Sequence, residues 1–449
     1  MFSCTWLTAT GLVLPHFYKL IFLLTWNVYG QSPVDFDLNT LADSASFDIV
    51  AVGLQEAPAS PGRFLLDSYR QDDPWSEALR QFLSVKGFTQ LTCSWESHPK
   101  LVNVVLSVFV RRELVTEIEC VDTSFVRLAL AGLMGNKGAV ALRFRIRGYL
   151  IAVINSHFVA HDYNYKQRIT QCRHVINSLK FGSDPALKSD YIFWMGDMNF
   201  RVEDINSAVA LNYIHDHRLD ELRDRDQLNK ARKENVAFDN FCEGNLSFPP
   251  SYKFGLGTSA YDLKRVPSWT DRILWRVNGD NDESGATRRK NLSCHVDSYT
   301  SIMDVTLSDH KPVIASFSVT LPSDIPLAPK LVTICFPGES DWWIVGQNNL
   351  CQYSYHPDYV FSFLDWVGLY KADFSSLHDV VTWSYVMSSW EDSEINGEPV
   401  RHNLSFKPLY MPLPGSYQLG YYSRAKNCLL DMSPVFRILP AGVDWCTEA

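Results

Sequence analysis

The chain reads as an α/β domain of two packed sheets flanked by helices, followed by a small all-β sandwich. Two observations predict this. Short, nearly continuous apolar runs rich in Val, Ile and Phe recur through the first two-thirds, with a helical period between two of them. Beyond a proline-bearing stretch near residue 322 come short strand-like pieces rich in Trp and Tyr, and no long helical period remains.

The strands come first. YKLIFLLTWNV (18–28), DIVAVGLQE (48–56), LVNVVLSVFV (101–110), AVALRFRI (139–146), YLIAVINSH (149–157) and YIFWMGD (191–197) have the length and composition of strands buried on both faces. DRILWR (271–276) and KPVIASFSV (311–319) add two more. In the segment 162–181, Ile169, Cys172, Val175, Ile176 and Leu179 recur at helical spacing, which predicts an amphipathic helix. A second helical stretch, 217–235, is mostly charged and is expected on the surface. LPSDIPLAPK (321–330) holds three prolines and reads as an extended linker. KLVTICF, DWWIVGQ, DWVGLYK, VVTWSYV, YQLGYYS and FRIL then predict an antiparallel β-sandwich over 331–440. The division is therefore 18–320, a linker at 321–330, and 331–440, two units expected to share no core.

The run 6–24 is apolar enough to raise a membrane span. Pro15, His16 and Lys19 interrupt it, and its second half continues into the first strand, so a strand is the expectation. Hydrophobic residues at 46% and charged residues at 20% are the balance of a folded soluble protein. A formal charge of -9 excludes a nucleic-acid binder that works by bulk electrostatics. Any polyphosphorylated substrate must then find a local basic pocket. The ten cysteines form no C-x-x-C pair, which favours reduced thiols over a disulfide framework or a zinc site. No Cys-x5-Arg loop is present, which argues against a cysteinyl-phosphate intermediate.

Polar residues gather where the buried strands end. Asn27, Glu56 and His157 end three of them, Asp197 and Asn199 follow a fourth, and Asp309 and His310 precede the last strand of the first unit. One acid or histidine at a strand end is ordinarily a cap or turn residue. Strands of one sandwich, however, bring their ends to a common rim, the usual place for an active site. Hydrolysis of a phosphate ester needs a hard cation, a base for water, and donors facing the phosphoryl oxygens. Glu56 suits the cation, Asp197 the base, and His157 with His310 the donors. Asp309 is placed to tune a histidine, unless a side chain from elsewhere does so.

TWNV (25–28), LQE (54–56), GNKG (135–138), SHF (156–158), FWMGDMNFR (193–201), PPSYKF (249–254), RVPSWTDRIL (265–274) and SDHKPV (308–313) together resemble the ordered motifs of the inositol polyphosphate 5-phosphatases. The resemblance covers roughly residues 18–320. It implies the four-layered α/β sandwich of the DNase-like exonuclease–endonuclease–phosphatase superfamily. It also implies Mg²⁺ held by Glu56 with help from Asn27, and water activated by Asp197 and oriented by Asn199. His310 and His157 would hold the scissile phosphate, with Asp309 in support. Tyr252, Lys253 and Arg265, with Lys264 as a fourth, would grip a 4-phosphate. The segment 259–269 is shorter than the family's usual stretch and leaves this grip weaker. Asn136 and Lys137, expected on a hairpin turn, would touch another phosphate, and Arg201 completes the basic set.

The second unit resembles the SKICH domain through DWVGLYK (365–371) and YYS (421–423). The pairing implies action on phosphoinositides and soluble inositol phosphates. It also implies a cytoplasmic protein recruited to the endoplasmic reticulum or plasma membrane through a protein partner of that domain. Residues 1–17 match no pattern of the family. A nuclease shares the metal-and-two-histidine site. The acidic charge and the PSYKF and PSWTDRIL segments speak against it.

Overall fold

The computed structural model describes residues 17–41, 46–58, 73–91, 101, 103–129, 134–278, 292–322, 330–335, 342–386, 401–407 and 413–441. Residues 1–16, and 323–329 of the expected linker, lie outside the described residues.

The first unit contains strands β1 (Phe17–Asn27), β2 (Ile49–Gln55), β3 (Phe88–Gln90), β4 (Val104–Arg111), β5 (Ile118–Ala129), β6 (Met134–Ile146) and β7 (Tyr149–His157). A short hairpin, β8 (Lys180–Phe181) and β9 (Asp184–Pro185), precedes β10 (Tyr191–Asp197). β11 (Cys242–Glu243), β12 (Asp271–Val277), β13 (Ser293–Ser301) and β14 (Val313–Leu321) complete the set. All but the β8–β9 pair form two mixed sheets among the described residues, sheet A in the order β13-β14-β1-β2-β4-β3 and sheet B in the order β11-β12-β10-β7-β6-β5.

Alternation along each strand assigns its residues to layers. Ile21, Leu23 and Ala51 of sheet A meet Ile151, Val153, Phe193 and Met195 of sheet B between the sheets. Phe22, Leu24, Trp26, Val50 and Val52 face outward against Trp75, Leu79 and Leu83 of helix α1 (Pro74–Ser84). Ala152, Ile154, Ile192 and Trp194 face outward against Cys172 and Val175 of helix α2 (Tyr165–Ser178). Helix, sheet, sheet and helix are four layers, which is why the runs read as buried on both faces. Asp73 caps α1, its carboxylate accepting from Ser76 N at 2.9 Å, with Pro74 at the first turn.

Two details depart from the sequence reading. The buried side of α2 is centred on Arg168, Gln171, Cys172 and Val175, leaving Ile169 and Ile176 half-buried. The stretch 217–235 is two short helices, Leu219–Arg223 and Gln227–Lys233, broken at Asp226. It is not merely a surface face. Asp226 is fully buried, and Arg272 Nη1 donates to it at 2.8 Å while Arg272 Nε donates to Glu243 at 2.6 Å.

Among the described residues the second unit has nine strands in two sheets around Val332, Tyr353, Val367, Leu369, Leu404, Leu419 and Tyr421. It is not wholly antiparallel, since Trp342–Ile344 runs parallel to Phe436–Leu439. Nor are the two units separate. Trp366, Tyr370, Phe374, Tyr422 and Leu429 join Val115, Ile118 and Val121 in one hydrophobic cluster. Arg112 Nε donates to Phe374 O at 2.9 Å, and Gln90 N donates to Ser375 O at 2.8 Å. A proline-rich linker marks where two units join but cannot reveal how much apolar surface they bury together.

The register shows where the second unit docks. β7 and β10 run in parallel toward His157 and Asp197, and β1 toward Asn27. Ile118 pairs with Ile146, Arg111 with Phe88, and Leu321 with Phe17, all at the other end. His157 lies eight residue steps along the strand from Tyr149, so the docking end lies ~26 Å from the strand ends bearing the polar residues. The seven cysteines among the described residues are free thiols. Among them too, no helix is long and apolar enough to cross a membrane.

Candidate active site

Strand direction assembles the site. β7 and β10 are parallel neighbours, so His157 and Asp197 pair at their last positions. β12 runs antiparallel to β10, which sets Asp271, its first residue, opposite Asp197. Sheet A contributes Asn27 paired with Gln55, and the chain then turns sharply at Glu56 (φ 53). His310 enters from the loop before β14, its carbonyl accepting from Trp26 Nε1 at 3.0 Å.

The contacts define two linked groups. His157 Nε2 lies 3.3 Å from Asp197 Oδ2 and 3.8 Å from Glu56 Oε1, and Asn27 Nδ2 donates to Asp197 at 3.0 Å. His310 Nδ1 lies 2.8 Å from Asp271 Oδ2, which also accepts from Ser251 Oγ at 2.8 Å and Thr270 Oγ1 at 2.9 Å. Asp309 takes a different part: its carboxylate lies 3.5 Å from Lys253 Nζ and 3.9 Å from His310 Nε2. The residue that orients His310 is therefore Asp271.

Burial and neighbouring charge then divide the two histidines. Burial lowers His157, with Lys137 adding to the effect, so it is neutral at pH 7. Burial opposes the charge on His310 as well, but the Asp271 carboxylate beside it prevails and raises it to about 9. Burial would raise Asp197, yet the bond from His157 and the charge of His310 hold it well below the usual carboxylate range. A cationic histidine and an ionised carboxylate thus sit together in a buried site, the separation that acid–base work requires.

The basic residues fall into two sets. Lys137 and Asn136 lie within β6 and not on a turn, because Gly138 pairs with His157 where a Cβ would meet Val126 O at 2.2 Å. Lys137 Nζ contacts His157 Nε2; the side chain of Asn136 lies outside the described residues. Arg201 lies over the Tyr252 ring at 4.4 Å, and that ring lies 4.4 Å from the His310 ring. Lys137, Arg201, Tyr252 and Lys253 therefore surround the histidines. Arg265 and Lys264 are exposed beyond them, and Arg265 Nη1 lies 3.6 Å from Asp162. Asn199 (φ 56) is engaged on both sides of its amide, donating to Phe158 O at 3.1 Å and accepting from Arg201.

The donor set fits a hard cation. Glu56 is the partly exposed carboxylate at the rim, and the amide and carboxylate oxygens around it are hard ligands. Oδ1 of Asp271 and Oδ1 of Asp309 are buried without a hydrogen-bond partner among the described residues, as oxygens beside a cation or substrate would be. Asp197, Asp271 and His310 also offer atoms within 4.8 Å of one another, although His310 Nδ1 is already committed to Asp271.

Asp271 was not among the residues singled out from sequence. It lies inside RVPSWTDRIL, where it begins its strand, whereas Asn27, Glu56, His157 and Asp197 come at the ends of theirs. Only the antiparallel pairing with β10 brings it to the same rim.

Residues 24–316 match the model of endonuclease/exonuclease/phosphatase family 2, and 334–438 match the SKICH domain. Mouse inositol polyphosphate 5-phosphatase K is 31% identical over 93% of this chain and 89% of its own length. The chain belongs to the inositol polyphosphate 5-phosphatase family. Human phosphatidylinositol 4,5-bisphosphate 5-phosphatase A is 32% identical over 94% of the chain, which spans only 42% of that relative. Among solved structures, the inositol polyphosphate 5-phosphatase domain of SPsynaptojanin, in complex with inositol (1,4)-bisphosphate and calcium ion, is 30% identical. It matches with a TM-score of 0.57 over 68% of this chain and 86% of its own. A Cimex nitrophorin, as a ferrous NO complex, matches at 27% identity with a TM-score of 0.53 over 68% of this chain and 99% of its own. The family fold thus serves more than one chemistry, and the function must be argued from the site.

Proposed function

We propose that the chain hydrolyses the 5-phosphate of phosphoinositides and soluble inositol polyphosphates, with Mg²⁺ as the resident cation. The observation that carries this reading is the pair of groups at the rim, Glu56–His157–Asp197 and Asp271–His310, with Lys137, Arg201, Tyr252 and Lys253 around them. Mg²⁺ held by Glu56 would neutralise charge developing on the phosphoryl oxygens. Asp197, kept ionised and held by Asn27, accepts a proton as the water oxygen attacks phosphorus in line. The bond from phosphorus to the inositol oxygen breaks, that oxygen leaves as a hydroxyl on taking a proton from solvent, and no covalent enzyme intermediate forms. His310, cationic and aimed by Asp271, donates to the phosphoryl group. Lys253 and Tyr252 would grip a neighbouring 4-phosphate, and Lys137 another phosphate.

The substrates proposed are phosphatidylinositol 4,5-bisphosphate and 3,4,5-trisphosphate and their soluble counterparts. The SKICH domain would recruit a cytoplasmic enzyme to the endoplasmic reticulum or plasma membrane through a protein partner. A panel of both lipids, soluble inositol 1,4,5-trisphosphate and a DNA strand tests the reading, with phosphate release measured in Mg²⁺. Release from the inositol compounds alone is expected. Cleavage of the DNA strand alone would overturn it.

A further inference from the structure

Beneath the catalytic rim, one buried amide crosses from sheet to sheet. Asn155 lies two residues before His157 on β7 and is fully buried. Its Nδ2 donates to the carbonyls of Leu54 on β2, at 3.1 Å, and Val105 on β4, at 2.7 Å. Its Oδ1 accepts from Gln55 Nε2 at 2.6 Å, and that nitrogen also donates to Thr25 Oγ1 at 3.1 Å. Gly53 leaves the slot for this amide: a Cβ there would lie 2.8 Å from Asn155 Cγ and 2.9 Å from its Oδ1.

Packing alone does not account for the amide. The layer around it is apolar, with Ala51, Val108, Val153 and Met195 between the sheets. A leucine of similar volume would fill the space without the cost of burying a polar group. Apolar contact is non-directional, so it holds two sheets together without fixing one strand against another to a fraction of an ångström. Hydrogen bonds to two backbone carbonyls do fix direction and distance. The strands so joined carry the site: Thr25 precedes Asn27 by two residues, Leu54 and Gln55 lead into Glu56, and Asn155 leads into His157. Glu56 directly follows the end of β2 in sheet A, whereas His157 and Asp197 end strands of sheet B. The 3.8 Å between Glu56 and His157 therefore spans the seam between the sheets.

We infer that Asn155 is a positioning residue, whose carboxamide fixes the cation-holding Glu56 of one sheet against Asp197 and His157 of the other. The inference rests on the proposed cation-assisted hydrolysis. Two variants reach the amide by opposite routes. Asn155→Leu removes it while keeping bulk and burial, and Gly53→Ala keeps it while pushing a methyl group into its slot. Three quantities are measured: kcat and KM on soluble inositol 1,4,5-trisphosphate, the Mg²⁺ dissociation constant by calorimetry without substrate, and the melting temperature. In both variants Mg²⁺ binding should weaken by about tenfold or more, as when a metal ligand loses its supporting hydrogen bonds. kcat should fall by roughly 100-fold while KM stays within about twofold.

A folded variant with unchanged Mg²⁺ binding would overturn the inference, because it would make Asn155 a packing group only. Should Asn155→Leu fail to fold, Gly53→Ala decides the question by the same criterion. A wild-type chain that binds Mg²⁺ but releases no phosphate would refute the proposed substrate class instead. The calorimetric comparison would still decide the role of Asn155.

Discussion

Replacing Asp271 with Asn tests the division of labour between the two histidines. Asn matches Asp in size and leaves an oxygen to accept from Ser251 and Thr270, so the fold should survive. What is lost is the negative charge 2.8 Å from His310 Nδ1. A rise from an ordinary 6.5 to about 9 corresponds to about 3 kcal/mol favouring the cationic histidine. With that charge gone, burial is opposed only by the weaker charges of Asp197 and Asp309, and His310 falls from about 9. Each unit of that fall lowers the ratio of cationic to neutral His310 tenfold at a fixed pH. The sign follows directly. In the wild type, activity persists as pH rises and is lost through about 9. In Asp271→Asn the same limb should move to lower pH, with activity lost well before pH 9 and recovered in acid. The assay is a pH–rate profile on soluble inositol 1,4,5-trisphosphate, with circular dichroism as the folding control. An alkaline limb that stays near 9 in the folded variant would refute the reasoning.

Asp197→Ala should lower turnover by at least ~10²-fold with folding intact, read by phosphate release; near-normal turnover removes Asp197 from the chemistry. Chelation should abolish activity and Mg²⁺ should restore it, whereas restoration by Zn²⁺ alone would contradict a hard-cation site. Lys253→Ala should cost about 1.5–3 kcal/mol of transition-state stabilisation on substrates bearing a 4-phosphate and little on those lacking one. Equal losses on both, in matched kcat/KM measurements, would assign Lys253 a structural part beside Asp309. A fragment ending at Pro322 would uncover Val115, Ile118 and Val121, at roughly 1.5–3 kcal/mol for each side chain fully exposed. That approaches the whole stability of an ordinary domain, so the fragment should melt far below the intact chain or aggregate. A melting temperature equal to that of the full chain would make the shared cluster energetically idle.

The core strands were legible because burial on both faces leaves a composition that needs no partner to be seen. Strand ends could be listed for the same reason, and Asn27, Glu56, His157, Asp197 and His310 do converge. Sheet partners could not be read. Asp271 reaches the rim only through antiparallel pairing, and Asn155 looks like a polar interruption in an apolar strand until the second sheet is in place. The helix α1 escaped notice as a short segment whose cap, Asp73, precedes a proline. The motif resemblance supplied residue roles that spacing left open, whereas the glycines of GNKG suggested a hairpin turn for Asn136 and Lys137 where the chain continues as strand. The apolar contact between the units was invisible for a different reason. Trp366, Tyr370 and Tyr422 are as suited to the interior of a small sandwich as to an interface, and composition does not distinguish the two.

The docking of the second unit gives the molecule two poles. One carries Glu56, Asp197 and the histidines, and the other carries the second unit against the 112–121 segment. A flat surface presented to the first pole cannot also lie against the second. Strand β4 spans the distance, with Val105 holding the Asn155 amide near one end and Arg111 preceding the Phe374-gripping Arg112 at the other. Occupancy of the far pole therefore leaves the mouth of the site open. A protein held there and a lipid headgroup at the rim would bind together without competing, and an anchor placed there would hold the enzyme upright with its catalytic end free to sample the membrane.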